Sequence, residues 1–274
     1  MTRIAICAPS TPITPADAER VVALSAEFPG LELVVHEQCF AVDGHFAGSD
    51  DVRLGALLEC ANDPAVDAVW CARGGYGANR IAARAVAQMR GCAREKAFVG
   101  YSDAGYLLAA LYRAGIGLPV HAPMPVDVRR EGGAAAVRRT LAWIAGQHGG
   151  IEPSLDGQPT VAFNLMTLAM LCGTELMPDL SGHVVMVEEV AEHLYAVDRL
   201  FFHVTQHLRD IAGLRIGRVS DVPENDREFG AQPVEIAREW CARTGIPFLG
   251  MADIGHDIAN KIVPFGVAVQ QAGQ

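Results

Sequence analysis

The stretch Lys96-Ala-Phe-Val-Gly-Tyr-Ser-Asp-Ala-Gly-Tyr106 joins a short apolar run, Lys96 to Gly100, to a good helix former, Tyr106-Leu-Leu-Ala-Ala-Leu-Tyr112. A run this short, bounded by a turn, reads as a buried strand. Gly100 stands two residues before Ser102, so a sharp strand-to-helix turn is available there. Such a turn lifts the serine above a sheet and aims the first N–H groups of the helix at whatever bonds to it. The second glycine of a nucleophile elbow comes one place late, at Gly105, and a serine in this setting also serves as a plain helix N-cap.

The same alternation repeats on the N-terminal side. Ile4 to Ala8 reads as a strand ending at Pro9-Ser10-Thr11-Pro12, and a helix follows from Thr14 to about Phe28 with Pro15 in its first turn. Leu31 to His36 is a second strand. Gly44 to Asp51 is a polar loop whose Ser49 or Asp50 caps a helix through Cys60. Ala68 to Cys71 is a third strand feeding Ala72-Arg-Gly-Gly-Tyr-Gly77, and a helix runs from Asn79 to Met89. Beyond Phe98 to Gly100 come a helix to Arg113, a strand at Leu118 to His121 and an Ala- and Arg-rich helix from Ala134 to Ile144. Strands alternating with helices across short turns predict a Rossmann-like parallel α/β sheet. Ligands bind such sheets beyond the carboxyl ends of the strands. Pro9-Ser10, Arg73 to Gly77, Ser102 and His121 should therefore meet on one edge.

Residues 151–160, with Pro, Gly and Ser, read as a linker. After them come a short helix at Asn164 to Leu171, a strand at His183 to Val187 running into Glu188-Glu189, and a helix at Asp198 to Leu208. A strand at Leu214 to Val219, a helix at Pro233 to Arg243, and strands at Pro247 to Met251 and Val263 to Val269 complete the chain. The division expected is a Rossmann-like α/β domain over 1–150 and a smaller, β-rich α+β domain over 161–274.

A chain of 274 residues, half of them hydrophobic, can bury a sizeable core, and its net charge of −10 is spread without blocks of like sign. That balance argues against nucleic acid or an anionic membrane as partner and suits a cytoplasmic enzyme. The apolar run at the N-terminus is too short for a signal peptide, and no stretch approaches a membrane span. The seven cysteines are scattered without a C-x-x-C, which points to reduced thiols and away from a disulfide framework or a zinc site.

A serine nucleophile needs a base, an acid to orient that base, and N–H donors for the developing oxyanion. Among nine histidines, His256 stands out in Gly255-His256-Asp257, between two expected strands. His203 and His207 sit one helical turn apart, but a zinc site there needs a carboxylate or thiolate that the sequence does not supply nearby. Glu188 ends an apolar strand and so wants a partner. Glu189 must point the other way if both are extended, because side chains alternate. Gly74-Gly75 has no side chain to keep a ligand from its backbone. The N–H of Asp103 is the second expected donor. A phosphate cradle does not fit this loop, which lacks both G-x-G-x-x-G after the first strand and the Lys-Ser/Thr of a P-loop.

In their order and spacing, Ala8-Pro-Ser10, Gly44-x-Phe-Ala-Gly-Ser-Asp50, Ala72 to Gly77, Gly100-Tyr-Ser-Asp103 and His121-Ala-Pro-Met124 form a recognisable set. Asn164-Leu165, Gly173-Thr174, Met177-Pro-Asp-Leu180, Val187-Glu-Glu-Val190 and Ile254-Gly-His256 extend it through the second half. The chain resembles the LD-carboxypeptidases, or muramoyltetrapeptide carboxypeptidases, a serine peptidase family that includes the microcin C self-immunity peptidases. The resemblance implies Ser102 as nucleophile, His256 as base and Glu188 as acid, with an oxyanion hole from the backbone of Gly75 and Asp103. It implies a homodimer and a small-peptide substrate, a murein tetrapeptide that loses its terminal D-alanine, with no metal and no cofactor. Arg73 and Gly74 are the candidates for substrate contact, Arg73 as the cation for a free carboxylate. The pattern is broken at Ala104-Gly105, Ala162-Phe163 and Ala191. Two other readings use the same cleft: hydrolysis of a peptidyl-nucleotide amide of the microcin type, and a non-catalytic peptide- or sugar-binding module.

Overall fold

The computed structural model describes residues 1–266. Its first sheet carries β1 (Thr2–Cys7), β2 (Leu31–Val35), β3 (Ala68–Cys71), β4 (Ala97–Gly100) and β5 (Leu118–His121), all parallel. Between them run α1 (Pro15–Ser25), α2 (Asp50–Asn62), α3 (Ala78–Gln88) and α4 (Gly105–Ala114), and α5 (Gly133–Ile144) follows β5. β3 is buried throughout and β4 and β5 nearly so, as strands covered on both faces must be. Local signals mark the helix ends. Thr14 and Asp17 form a reciprocal capping box at α1, Ser49 caps α2, and α4 stops at Gly115 in the left-handed region.

The second unit contains β6 (Thr160–Asn164), α6 (Leu165–Leu171), β7 (Val184–Val190), α7 (Leu194–His207), β8 (Gly213–Ser220), α8 (Pro233–Thr244) and β9 (Phe248–Met251). Its four strands, in the order β6-β7-β8-β9, also run parallel. The architecture expected from the sequence, a Rossmann-like sheet followed by a smaller second sheet unit, is present.

Three details differ from the expectation. β6 spans from the last residue of the expected linker to the first of the expected helix, where no strand was expected; its five residues are fully buried, and a run that short is hard to separate from the helix it feeds. α7 begins at Leu194, four residues ahead of the expected Asp198. The strand expected at Val263 to Val269 is β10 (Val263–Pro264), which pairs antiparallel with β5 and so closes the edge of the first sheet; residues 267–269 of that expectation lie outside the described residues.

The first sheet has the order β10-β5-β4-β3-β1-β2. Its direction of growth reverses between β1 and β3, and loops diverging from such a point leave a crevice over the strand ends. The loop after β1, the glycine loop after β3 and the turn after β4 all open there. One continuous core joins the two units, running from Phe98 and Leu107 through Phe163 and Leu168 to Val187 and Phe201. Gly105 belongs to this seam. A Cβ on it would stand 3.0 Å from Thr167 Cγ2 and 3.4 Å from Phe163 Cδ1. The late glycine thus admits α6 and β6 against the start of α4.

Candidate active site

Ser102 follows β4 in a single 3-10 turn, Ser102–Ala104, that leads into α4. Its φ is +59°, the left-handed region that L-residues other than Gly, Asn and Asp seldom occupy. A non-glycine residue held there stores about 1–3 kcal/mol, retained only where the surroundings over-determine the turn. Those surroundings are visible. A Cβ on Gly100 would come 2.9 Å from Ala104 Cβ and 3.1 Å from Cys71 Cβ, so the turn closes only on glycine. The buried Asp103 carboxylate accepts from Ser10 Oγ at 2.5 Å and from the Ala78 N–H at 2.9 Å, tying the β1 loop and the start of α3 to the serine turn. Burial pushes the Asp103 pKa up, and these donors pull the other way. Arg53, fully buried, donates to the carbonyls of Pro9 and Gly77 and braces the same loops.

His256 lies in the loop between β9 and β10. Its Nε2 is 3.0 Å from Ser102 Oγ, and its Nδ1 is 2.5 Å from Glu188 Oε2. Glu188 therefore accepts a hydrogen bond from Nδ1–H of His256, which leaves the Nε2 lone pair facing the serine hydroxyl. Glu188 is 1% exposed and its Oε1 has no partner among the described residues, so His256 is its one strong interaction. Burial depresses the His256 pKa, but the charge and hydrogen bond of Glu188 outweigh it, and the net shift is upward.

Glu189 faces the opposite side, as alternation requires. It accepts from Asn164 Nδ2, the Met166 N–H and the Val190 N–H, each at 2.8 Å, and so holds the start of α6. Burial raises its pKa, against the pull of those donors.

Of the remaining expected residues, Gly74 lies against the serine, with Arg73 and Gly75 on either side of it in the chain. A Cβ on Gly74 would stand 3.0 Å from both Cβ and Oγ of Ser102 and 3.3 Å from the Asp103 nitrogen, so the glycine loop lies directly on the Ser102 turn. Gly75 has φ +98°, and a Cβ on it would strike Thr11 Cγ2 at 2.7 Å. Thr11 Oγ1 donates to the Gly74 carbonyl at 2.6 Å. Among the described residues the Gly75 N–H meets no acceptor. Arg73 is part-buried, and its Nη1 donates to the Pro12 carbonyl at 3.3 Å.

Several supporting residues had no role in the sequence reading. The Tyr101 ring lies 4.8 Å from the His256 ring, and its hydroxyl donates to Asp127 Oδ1 at 2.9 Å. Arg218 holds Asp257 in a two-pronged pair and reaches Asp253 at 2.6 Å, which pins the His256 loop to β8. Asn260 Oδ1 accepts from the Gly255 N–H at 3.2 Å and pairs with His121 Nε2 at 3.1 Å. Tyr101 and Asp257 adjoin residues already singled out, and that adjacency was the available signal; Arg53 and Arg218 had none.

Gly217 sets the spacing of Glu188 and the segment before His256. A Cβ on it would stand 2.5 Å from the Ile254 carbonyl oxygen and 3.2 Å from Glu188 Cβ. Gly217→Ala is expected to cost about 1–3 kcal/mol, which is about 2–4 °C of melting temperature per kcal/mol. Turnover should fall with it, because Glu188 and the segment leading to His256 are pushed apart. Thermal melts and steady-state kinetics on one sample check both.

The family model described as the LD-carboxypeptidase N-terminal domain matches residues 4–122, and the one described as the C-terminal domain matches residues 159–270. The chain belongs to the LD-carboxypeptidase family. It is 26% identical over 284 residues to the murein tetrapeptide carboxypeptidase of Pseudomonas aeruginosa, covering 96% of this chain and 91% of that one. Among solved structures it is similar to the muramoyltetrapeptide carboxypeptidase from Oxalobacter formigenes, with a TM-score of 0.80 at 25% identity over 96% of this chain and 93% of the other. The fold is shared with the microcin C7 self-immunity protein, with a TM-score of 0.77 at 18% identity over 97% and 91% of the two chains. Membership makes this LD-carboxypeptidase relative a hydrolase of a peptidase family. Among the described residues no helix is long and apolar enough to cross a membrane.

Proposed function

We propose that the protein is a serine LD-carboxypeptidase that releases the terminal D-alanine from murein tetrapeptides, cutting the bond after L-Lys or meso-diaminopimelate. The observation that carries the reading is the hydrogen-bonded chain from Ser102 Oγ through His256 to the buried Glu188. His256 takes the hydroxyl proton as Ser102 attacks the carbonyl, and Glu188 stabilises the imidazolium that forms. The N–H groups of Gly75 and Asp103 receive the oxyanion, a contribution of about 10²–10³ in rate per donor. His256 then hands its proton to the leaving amine of D-alanine, and water, deprotonated by the same imidazole, resolves the acyl-enzyme. The nucleophile belongs to the first unit and the acid and base to the second, so the reaction takes place at the seam between domains divided at 151–160.

Arg73, with Gly74 beside it, is assigned to the free carboxylate of the substrate. Its support is position: it adjoins the glycine loop, and among the described residues it has no carboxylate within 4.0 Å. Arg73→Gln is expected to raise KM about 10- to 100-fold, the worth of a hydrogen bond to a charged group, with kcat little changed. A comparable loss in kcat alone would remove this assignment.

The test is direct. Purified protein is offered tetrapeptides ending in L-Lys-D-Ala or diaminopimelate-D-Ala, beside a peptidyl-nucleotide amide, and free D-alanine is measured. Release of D-alanine is the expected result. Cleavage of the nucleotide conjugate alone would replace the substrate assignment. Cleavage of neither, with Ser102 unlabelled by a serine-directed probe, would point to a binding module.

A further inference from the structure

Away from the serine, Cys172 directly follows the last residue of α6 as its C-cap, and the cysteine side chain meets one face of α7. Cys172 Sγ and a ring nitrogen from each of His203 and His207 lie within 4.8 Å of one another. The sequence reading left the two histidines without a third donor; the thiol, 31 positions before the first of them, reaches them only because α6 packs on α7. The histidines are one turn apart, the spacing that puts two imidazoles on a single helix face.

The orientation of the rings is informative. The Nδ1–H of His207 donates to the His203 carbonyl oxygen at 2.9 Å, which fixes the tautomer of the neutral ring and leaves Nε2 as the nitrogen with a free lone pair. A ring nitrogen tied to a carbonyl is the usual arrangement behind a metal-ligating imidazole. The two rings are 4.4 Å apart between centroids and tilted 45° to each other, so both are presented on the same side of α7. Cys172 and His203 are part-buried and His207 is exposed, which leaves solvent a route to the cluster.

We propose that Cys172, His203 and His207 form a binding site for a zinc-type divalent ion, with the fourth coordination position open to water. One thiolate and two imidazoles suit a borderline-soft d¹⁰ ion, whose bonds of about 2.3 Å to sulfur and 2.0–2.1 Å to nitrogen require the donors to close in from their present spacing by small rotamer changes. Binding replaces the S–H bond of Cys172 with an S–Zn bond and releases one proton to solvent, so affinity rises with pH. The ion would clip the end of α6 to α7. The start of α6 lies at the other site, where Thr167 Oγ1 donates to the Ser102 carbonyl at 3.4 Å. The site is separate from the proteolytic reading and stands or falls without it.

The experiment titrates the full chain with Zn²⁺ against a chromophoric chelator and with Co²⁺ by absorption. The expected result is one equivalent bound, a thiolate-to-cobalt charge-transfer band, the intense visible bands of four-coordinate cobalt, and a melting temperature that rises with Zn²⁺. Cys172→Ser should abolish the charge-transfer band, and His207→Gln should weaken binding by about 100-fold or more, the upper end of what even outer partners of a metal site are worth. Hydrolysis by Cys172→Ser should be unchanged in metal-free buffer. Absence of binding at micromolar free Zn²⁺, or binding that survives both substitutions, overturns the proposal.

Discussion

Ser102→Ala is expected to lower kcat by about 10⁴–10⁶, the range seen when the nucleophile of a catalytic serine unit is removed and only oxyanion stabilisation and binding remain. Substrate affinity should persist, because the glycine loop and Arg73 are untouched. The strained backbone supplies a second, independent measurement. Alanine keeps a Cβ in the left-handed region at φ +59°, whereas glycine adopts that conformation freely. Ser102→Gly should therefore be more stable than Ser102→Ala by about 1 kcal/mol, although both are inactive. This reverses the order that alanine and glycine have inside a helix. Comparable turnover in Ser102→Ala and the native chain would end the serine mechanism. Equal stabilities would remove the strain argument while leaving the mechanism in place.

Glu188→Gln should be nearly as damaging, with kcat down by about 10³–10⁴. A neutral amide no longer stabilises the imidazolium, and its NH₂ group can turn the ring to the wrong tautomer. The pH profile identifies the cause. In the native protein Glu188 overcomes the effect of burial and holds the His256 pKa above its ordinary value. The acid limb of kcat/KM should then lie above about 6.5, with activity appearing as His256 loses its proton. Once the carboxylate is gone, burial is the largest influence that remains, ahead of the charge of Glu189, and the limb should move to lower pH.

Stability follows the same linkage. With a raised folded pKa, the His256–Glu188 pair contributes fully below about pH 6.5 and loses that contribution as pH rises through the folded value. In Glu188→Gln, with burial the largest influence left, the folded pKa is expected below the unfolded one, so this contribution should instead fall as pH drops through about 6.5. Denaturant melts across that window in both proteins read the reversal. An acid limb that stays in place would show that Glu188 does not govern His256.

The first sheet was legible because its signals are local. Each short buried strand is bounded by Gly, Pro or a capping residue, as at Thr14 with Asp17 and at Ser49, and such signals act within one turn of chain. The second unit was harder to read. β6 is five buried residues feeding directly into a helix, and β10 pairs across more than 140 positions with β5, so neither carries its partner in its own pattern. The candidate residues were read from recurring sequence pieces and their order, whereas their supports were not. Arg53 and Arg218 act through carbonyls and carboxylates contributed by other loops, and nothing in their immediate neighbours marks them.

The order of strands and helices in the first 150 residues, the turn at Ser102 and the carboxylate placed to end an apolar strand were written in the chain, since propensity, capping and alternation are properties of neighbours. The folded molecule alone brings Nε2 of His256 within 3.0 Å of an oxygen 154 positions earlier, forces a serine into a glycine conformation, and carries a cysteine to a pair of histidines. Those outcomes depend on how two sheets pack across one core, and that packing sums contacts between residues far apart in the polymer, which no short window of sequence contains.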